Sequence, residues 1–183
     1  MGRDTFLTEA LTQEAIGALE KAKKYEQPFY LYMSHYAVHI PIDKDMRFFP
    51  KYVRKGLSDK DAAYASLVEG MDKSLGDIMN WLQRNGEAEN TIIIFLGDNG
   101  GLACSPEFRE GEPFTQNAPL QSGKGSLYEG GIRVPFIVKW GDTVKPGTRN
   151  ASCIIIEDLY PTILDMAGVK QYNVPQTIDG VSI

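Results

Sequence analysis

Apolar residues recur along this chain with two different spacings, and those spacings mark most of its elements. Ala15, Ile16, Leu19 and Ala22 fall on one face of a helix over residues 12 to 25. Pro28 precedes Phe29-Tyr30-Leu31-Tyr32-Met33-Ser34-His35, an aromatic and aliphatic run with both faces largely apolar, which predicts a strand. A charged loop follows as far as Ser58. Ser58-Asp59-Lys60-Asp61 has capping-box spacing with Asp in place of the usual Glu, so a helix starts there. Tyr64, Leu67, Val68, Met71, Leu75, Ile78, Met79 and Leu82 keep helical spacing until Asn85-Gly86. Ile92 to Leu96 do not alternate with polar residues, which predicts a strand buried on both faces, as in a parallel sheet. Val134-Pro135-Phe136-Ile137-Val138-Lys139-Trp140 is a further strand, with Pro135 at its beginning. Cys153 to Ile156 are extended, and Asp158 to Ala167 form a helix with Pro161 in its first turn and Gly168 past its end.

This order of elements predicts an α/β structure with helices packed on a mostly parallel sheet. The strands are few for a sheet buried on both sides, and Thr177 to Ile183 add no closing element, so a piece of a larger domain is expected. At 183 residues the chain is long enough for a sizeable core, and 43% hydrophobic with 23% charged residues is ordinary for a soluble globular protein. A net charge of -5 argues against nucleic acid as a partner, because phosphate contacts need a basic face. No apolar run approaches the length of a membrane span. Met1-Gly2-Arg3-Asp4 leads into mixed polar sequence rather than a secretory leader, which carries weight only if Met1 is the native start. The two cysteines, Cys104 and Cys153, lack metal-site spacing and fix no redox compartment.

Candidate chemistry collects where strands end. The 91–96 strand stops at Gly97-Asp98-Asn99-Gly100-Gly101, and ligands of α/β sheets bind beyond the carboxyl ends of strands. The Asp98 carboxylate and Asn99 amide carbonyl are hard oxygen donors, suited to Ca²⁺ or Mg²⁺. Asn-Gly is equally a hairpin turn, although no alternating strand follows it. Both histidines lie in Ser34-His35-Tyr36-Ala37-Val38-His39-Ile40-Pro41, again past a strand. Either is a strand-end histidine bonded to backbone or a catalytic imidazole, and His39, beside the turn-forming Pro41, is the one placed to face a cleft. In Ser122-Gly123-Lys124-Gly125-Ser126 the flanking glycines let Lys124 approach a ligand closely, or else leave a flexible solvated loop. It is not a Walker loop, since Gly125 follows the lysine. Glu129 and Arg133 have the spacing of a structural ion pair. Gly-x-Ser-x-Gly and His-Glu-x-x-His do not occur, and Cys104-Ser105-Pro106-Glu107-Phe108-Arg109 is one residue too long for a Cys-x-Pro-x-Arg motif.

In their order and spacing, these segments resemble the sulfatase family of the alkaline-phosphatase superfamily. The likeness runs over the strand into Ser34–Pro41, the Tyr64–Gly76 helix, Gly97 to Gly101, Gly123 to Pro135 and Asp158-Leu159-Tyr160-Pro161-Thr162-Ile163-Leu164-Asp165. The resemblance implies that Asp98 and Asn99 bind a divalent cation, usually Ca²⁺ with Mg²⁺ as the alternative, and that Lys124 and His39 contact the sulfate as catalytic and substrate-binding residues. It further implies a formylglycine made from a Cys/Ser-x-Pro-x-Arg motif, which these 183 residues lack, and an early pair of metal-binding aspartates, also missing. The chain therefore matches the middle-to-late part of a sulfatase catalytic domain, inactive alone, with the nucleophile expected upstream and a C-terminal subdomain beyond residue 183.

The expected reaction is hydrolysis of a sulfate ester on a small molecule or glycan, with a periplasmic or extracellular address implied by the family. A phosphodiester or phosphonate hydrolase of the same superfamily ranks lower, because those relatives usually place His where Asn99 stands. The rival from another class is a non-catalytic fragment that binds metal or sulfated glycan; a structural α/β domain whose loops only resemble a site is the remaining reading. Exposed strand edges in a partial sheet are a route to self-association.

Overall fold

Ser58 opens the longest helix in the way its sequence predicts. In the computed structural model, which describes residues 5–103 and 115–183, the Ser58 hydroxyl oxygen accepts the Asp61 N–H at 3.1 Å. The chain divides into two compact units, residues 1–144 and 145–183. The first holds α1 (Leu7–Lys24), α2 (Phe49–Arg54), α3 (Asp59–Arg84), β1 (Ile93–Leu96), α4 (Glu129–Ile132) and β2 (Phe136–Lys139). The second holds a 3₁₀ turn (Ile156–Asp158) running into α5 (Leu159–Met166). No helix among the described residues is long and apolar enough to cross a membrane.

The helical layer is built on small residues. Both α1 and α2 pack against α3, whose buried positions are Ala62, Ala63, Ser66, Leu67, Gly70, Ser74 and Leu82. The larger apolar residues Val68 and Met79 of the same helix are exposed. Helix α1 starts at Leu7, five residues before the apolar spacing predicts. Its first turns bury Thr8 and Thr12 instead of aliphatic side chains, and Thr12 Oγ1 sits 2.6 Å from Ser74 Oγ. Helix α2, unforeseen within the charged loop, begins at Phe49-Pro50, where proline needs no N–H partner.

The segment leading into α2 is clasped by Asp45, which has no exposed surface. Its carboxylate receives Arg47 Nε at 2.9 Å and Nη2 at 2.6 Å, and its N–H donates to Ser66 Oγ on α3 at 3.1 Å. Arg47 also pairs with Glu9 of α1, so its guanidinium joins that helix to the loop leading into α2. The hydrogen bond to Asp45 raises the Arg47 pKa further above its ordinary value.

The strand order departs from expectation. The one ladder among the described residues is antiparallel, pairing Ile93 with Lys139 through to Leu96 with Phe136. The unbroken apolar run in β1 reports contact on both faces, not strand direction; all four of its residues are half-buried. Residues 29–35, expected as a strand, join no ladder among the described residues, with Tyr30 and Tyr32 exposed. Phe136 to Lys139 and the helix after Asp158 fall where the sequence places them. The mixture of helices and a small sheet is α/β.

In the second unit, the Asp158 carboxylate caps two backbone donors, Ile155 N–H and Val181 N–H, each at 2.9 Å. These bonds favour the ionised form and hold its pKa below the usual carboxylate range. Because the folded-state pKa is depressed, the stabilisation is present above the unfolded value and is lost as pH falls through the folded one. The protection factor of the Val181 amide is therefore expected to fall more steeply below about pH 4 in the wild type than in Asp158→Asn. Identical profiles for the two proteins would remove Asp158 as the anchor.

Candidate active site

The turn after β1 and the loop before α4 are held against each other by backbone bonds. Gly97 N–H donates to Pro135 O at 3.1 Å, which extends the β1–β2 contact by one step. Gly100 N–H then reaches Gly131 O at 2.9 Å, and Lys124 N–H reaches Gly101 O at 3.0 Å. Gly130 N–H bonds Gln121 O at 2.8 Å within the second loop. The approach is so close that a side chain has no room. A Cβ on Gly100 would fall on the Gly130 carbonyl oxygen, and one on Gly131 would fall on that of Ser126.

This interlock brings three of the four sequence-predicted residues to one edge. Asp98 is exposed at the carboxyl end of β1, and Asn99 is half-buried beside it, its Nδ2 donating to Gly100 O at 3.2 Å. That bond leaves the Asn99 carbonyl oxygen available as an acceptor. Lys124 stands on the facing loop, fixed through its backbone rather than by its side chain alone. Asp98 and Asn99 offer two hard oxygen donors, a set that fits Ca²⁺ or Mg²⁺ in kind but supplies only part of a six- to eight-oxygen shell. Among the described residues no group of three or more His, Cys, Asp and Glu side chains is placed to hold a metal.

His39 stands in a turn of its own. Its N–H donates to Tyr36 O at 2.8 Å and its Nδ1 lies 2.8 Å from Ile40 O. With the Nδ1 proton on that carbonyl, Nε2 is left as the outward-facing acceptor of an exposed ring. The described hydrogen bonds tie the Asp98 and Lys124 loops together and leave the His39 turn closed on itself. His35 differs: burial lowers its pKa, and its Nδ1 is enclosed without a hydrogen-bond partner among the described residues.

Glu129 and Arg133 pair at 3.2 Å on an exposed face, as their spacing predicts, which contributes little to stability. An open depression of about 350 Å³ borders the loops, lined by Asn117, Leu120, Arg133 and Pro135 among others. A second, of about 270 Å³, lies away from them between α1 and α3, where Ile16 and Trp81 face each other. Cys104 to Arg109 lie outside the described residues; Cys153 is exposed and unpaired.

One residue of this region escapes sequence reading. Asn117 accepts the Gly101 N–H on Oδ1 at 3.2 Å, and its Nδ2 donates to Gly101 O at 3.2 Å and Ser122 O at 3.0 Å. Its only sequence signal is its place before Pro119, in a stretch that otherwise has the composition of any loop.

Comparison with known proteins gives one consistent result. The family model described as Sulfatase matches residues 3–169. A protein of Formosa agariphila named "Sulfatase" is 35% identical over the whole of this chain and 34% of its own length. The N-acetylgalactosamine-6-sulfatase of Mus musculus is 31% identical over 97% of this chain and 32% of its own length. Among solved structures, Ps i-CgsB in complex with k-i-k-neocarrahexaose superimposes with a TM-score of 0.86 at 31% identity, over 99% of this chain and 38% of the other. The PsFucS1 sulfatase from Pseudoalteromonas sp. gives a TM-score of 0.75 at 27% identity, over 96% of this chain and 33% of the other. The chain thus spans about a third of the length of the curated relatives it matches.

Proposed function

Because the chain belongs to the sulfatase family, we propose that the protein at its native length hydrolyses sulfate esters of carbohydrates. The observation that carries this reading is the glycine interlock, which sets an oxygen-donor pair and a lysine on facing loops at the end of one strand. The names of the relatives point to carbohydrate, one being an N-acetylgalactosamine-6-sulfatase and another a complex with a neocarrahexaose. These 183 residues are the middle-to-late part of the catalytic domain. Export to the periplasm or the cell exterior belongs to the same proposal.

In this mechanism Asp98 and Asn99 would hold a divalent cation, Ca²⁺ before Mg²⁺, as two of its oxygen ligands. When bound, such a cation polarises a sulfate oxygen and favours an ionised nucleophile. Lys124 stabilises the negative charge that builds on the sulfuryl and bridging oxygens as the ester bond breaks. His39, with its Nδ1 proton committed to Ile40 O, works through Nε2: once protonated there, it donates to the sulfate or to the departing alcohol oxygen. The nucleophile, a formylglycine in the family pattern, comes from a segment other than these residues, which contain no Cys/Ser-x-Pro-x-Arg run. On their own they bind but do not turn over.

The deciding assay supplies the native-length protein with sulfated saccharides, an aryl sulfate and a phosphodiester, with and without Ca²⁺. Sulfate release that depends on Ca²⁺ is expected, fastest from a saccharide. Faster cleavage of the phosphodiester would move the protein to the neighbouring hydrolase class. Saccharide binding with no release from any ester would leave the binding reading in its place.

A further inference from the structure

We propose that Asn117 is a positioning residue that locks the 98–101 loop to the loop carrying Lys124, so that one side-chain amide sets the spacing between cation ligands and sulfate-binding lysine. This inference rests on the roles assigned to Asp98, Asn99 and Lys124 above and extends them to a residue with no chemistry of its own. Asn117 meets both the N–H and the C=O of Gly101, as the opposite residue of an antiparallel strand pair would. Its second amide proton goes to Ser122 O at 3.0 Å, two residues before Lys124. One acceptor and two donors in a single plane are what an amide offers. A carboxylate in its place would face two carbonyl oxygens, and an amide turned end for end would set its NH₂ against the Gly101 N–H.

The surroundings make the strut effective. Gly101 O also receives Lys124 N–H at 3.0 Å and Ala103 N–H at 2.8 Å, so a single carbonyl is the meeting point of the two loops and the Asn117 amide. Gly123, next to Lys124, packs so closely on Gly101 that an added Cβ would fall on its carbonyl oxygen and lie 2.9 Å from Asn117 Nδ2. Displacement of the Asp98 turn is therefore transmitted toward Lys124 through the Asn117 amide and the shared Gly101 carbonyl.

Hydrogen exchange followed by mass spectrometry on the native-length protein tests this, with peptides covering 98–101, 117–124 and α3 as a folding control. In the wild type, Ca²⁺ is expected to slow exchange in both loop peptides. In Asn117→Ala and Asn117→Asp it should still protect 98–101, while protection of 117–124 falls at least about fivefold, the loss of one partnered hydrogen bond. Undiminished protection of 117–124 in a variant whose α3 exchange is normal would overturn the inference. So would a wild type in which Ca²⁺ protects 98–101 alone, a result independent of whether the variants fold. Absence of Ca²⁺ protection at 98–101 in the wild type is a different failure: it removes the cation reading and this inference with it.

Discussion

Lys124→Ala in the native-length protein is expected to lower kcat for sulfate-ester hydrolysis by roughly 10²-fold or more, the usual cost of losing one charge contact made in the transition state. The backbone of residue 124 should keep its place, since its N–H bond to Gly101 O and the glycine packing do not involve the side chain. The loss should therefore fall on turnover, with the unfolding midpoint close to wild type. Lys124→Arg keeps the charge but spreads it over a planar fork, and should recover only part of the rate. Steady-state kinetics on a saccharide sulfate, together with a urea titration, separates the cases. A kcat unchanged by Lys124→Ala would take Lys124 out of the site.

Gly100→Ala is expected to cost about 3 kcal/mol of stability, the upper end of ordinary overpacking. The new methyl would fall on the Gly130 carbonyl oxygen, and that obstacle is backbone, which cannot swing aside as a side chain does. Gly125→Ala is the matched control: its Cβ meets nothing within 4 Å, and only its φ of +88° penalises it, by about 1 kcal/mol. Urea unfolding of both variants and Ca²⁺ affinity by calorimetry are the measurements. Gly100→Ala should weaken cation binding along with stability, whereas Gly125→Ala should leave the cation untouched. Equal losses from the two substitutions would show that the loops are not interlocked at Gly100.

The parts of the fold readable from sequence are those that carry a local signal. Helix α3 has a capping serine at one end and Asn85-Gly86 at the other, with apolar spacing between them. Its contacts were less readable, because the buried face uses Ala62, Ser66, Gly70 and Ser74, residues that an apolar pattern does not count. The start of α1 was hidden for the same reason, behind Thr8 and Thr12. Strand direction in β1 was not encoded locally at all; it depends on which partner the chain brings alongside, here β2. Asp98, Asn99 and Lys124 stood out because they follow a strand or sit between glycines. Asn117 did not, since a side chain that pairs with backbone sixteen residues away leaves no period and no motif.

The hydroxyl pair between Thr12 and Ser74 acts as an index mark between two rods. Helices that meet through small side chains have few knobs to define how far one may slide along the other, whereas a bond at 2.6 Å is directional. A slip of one turn, about 5.4 Å, would set Thr12 level with Gly70 or Ile78, neither of which has a hydroxyl to answer it. The bond favours the observed depth of α1, and with it the reach of Glu9 to the guanidinium that clasps Asp45. Lys73 of α3, reaching Glu9 of α1, adds a second polar mark to the same alignment.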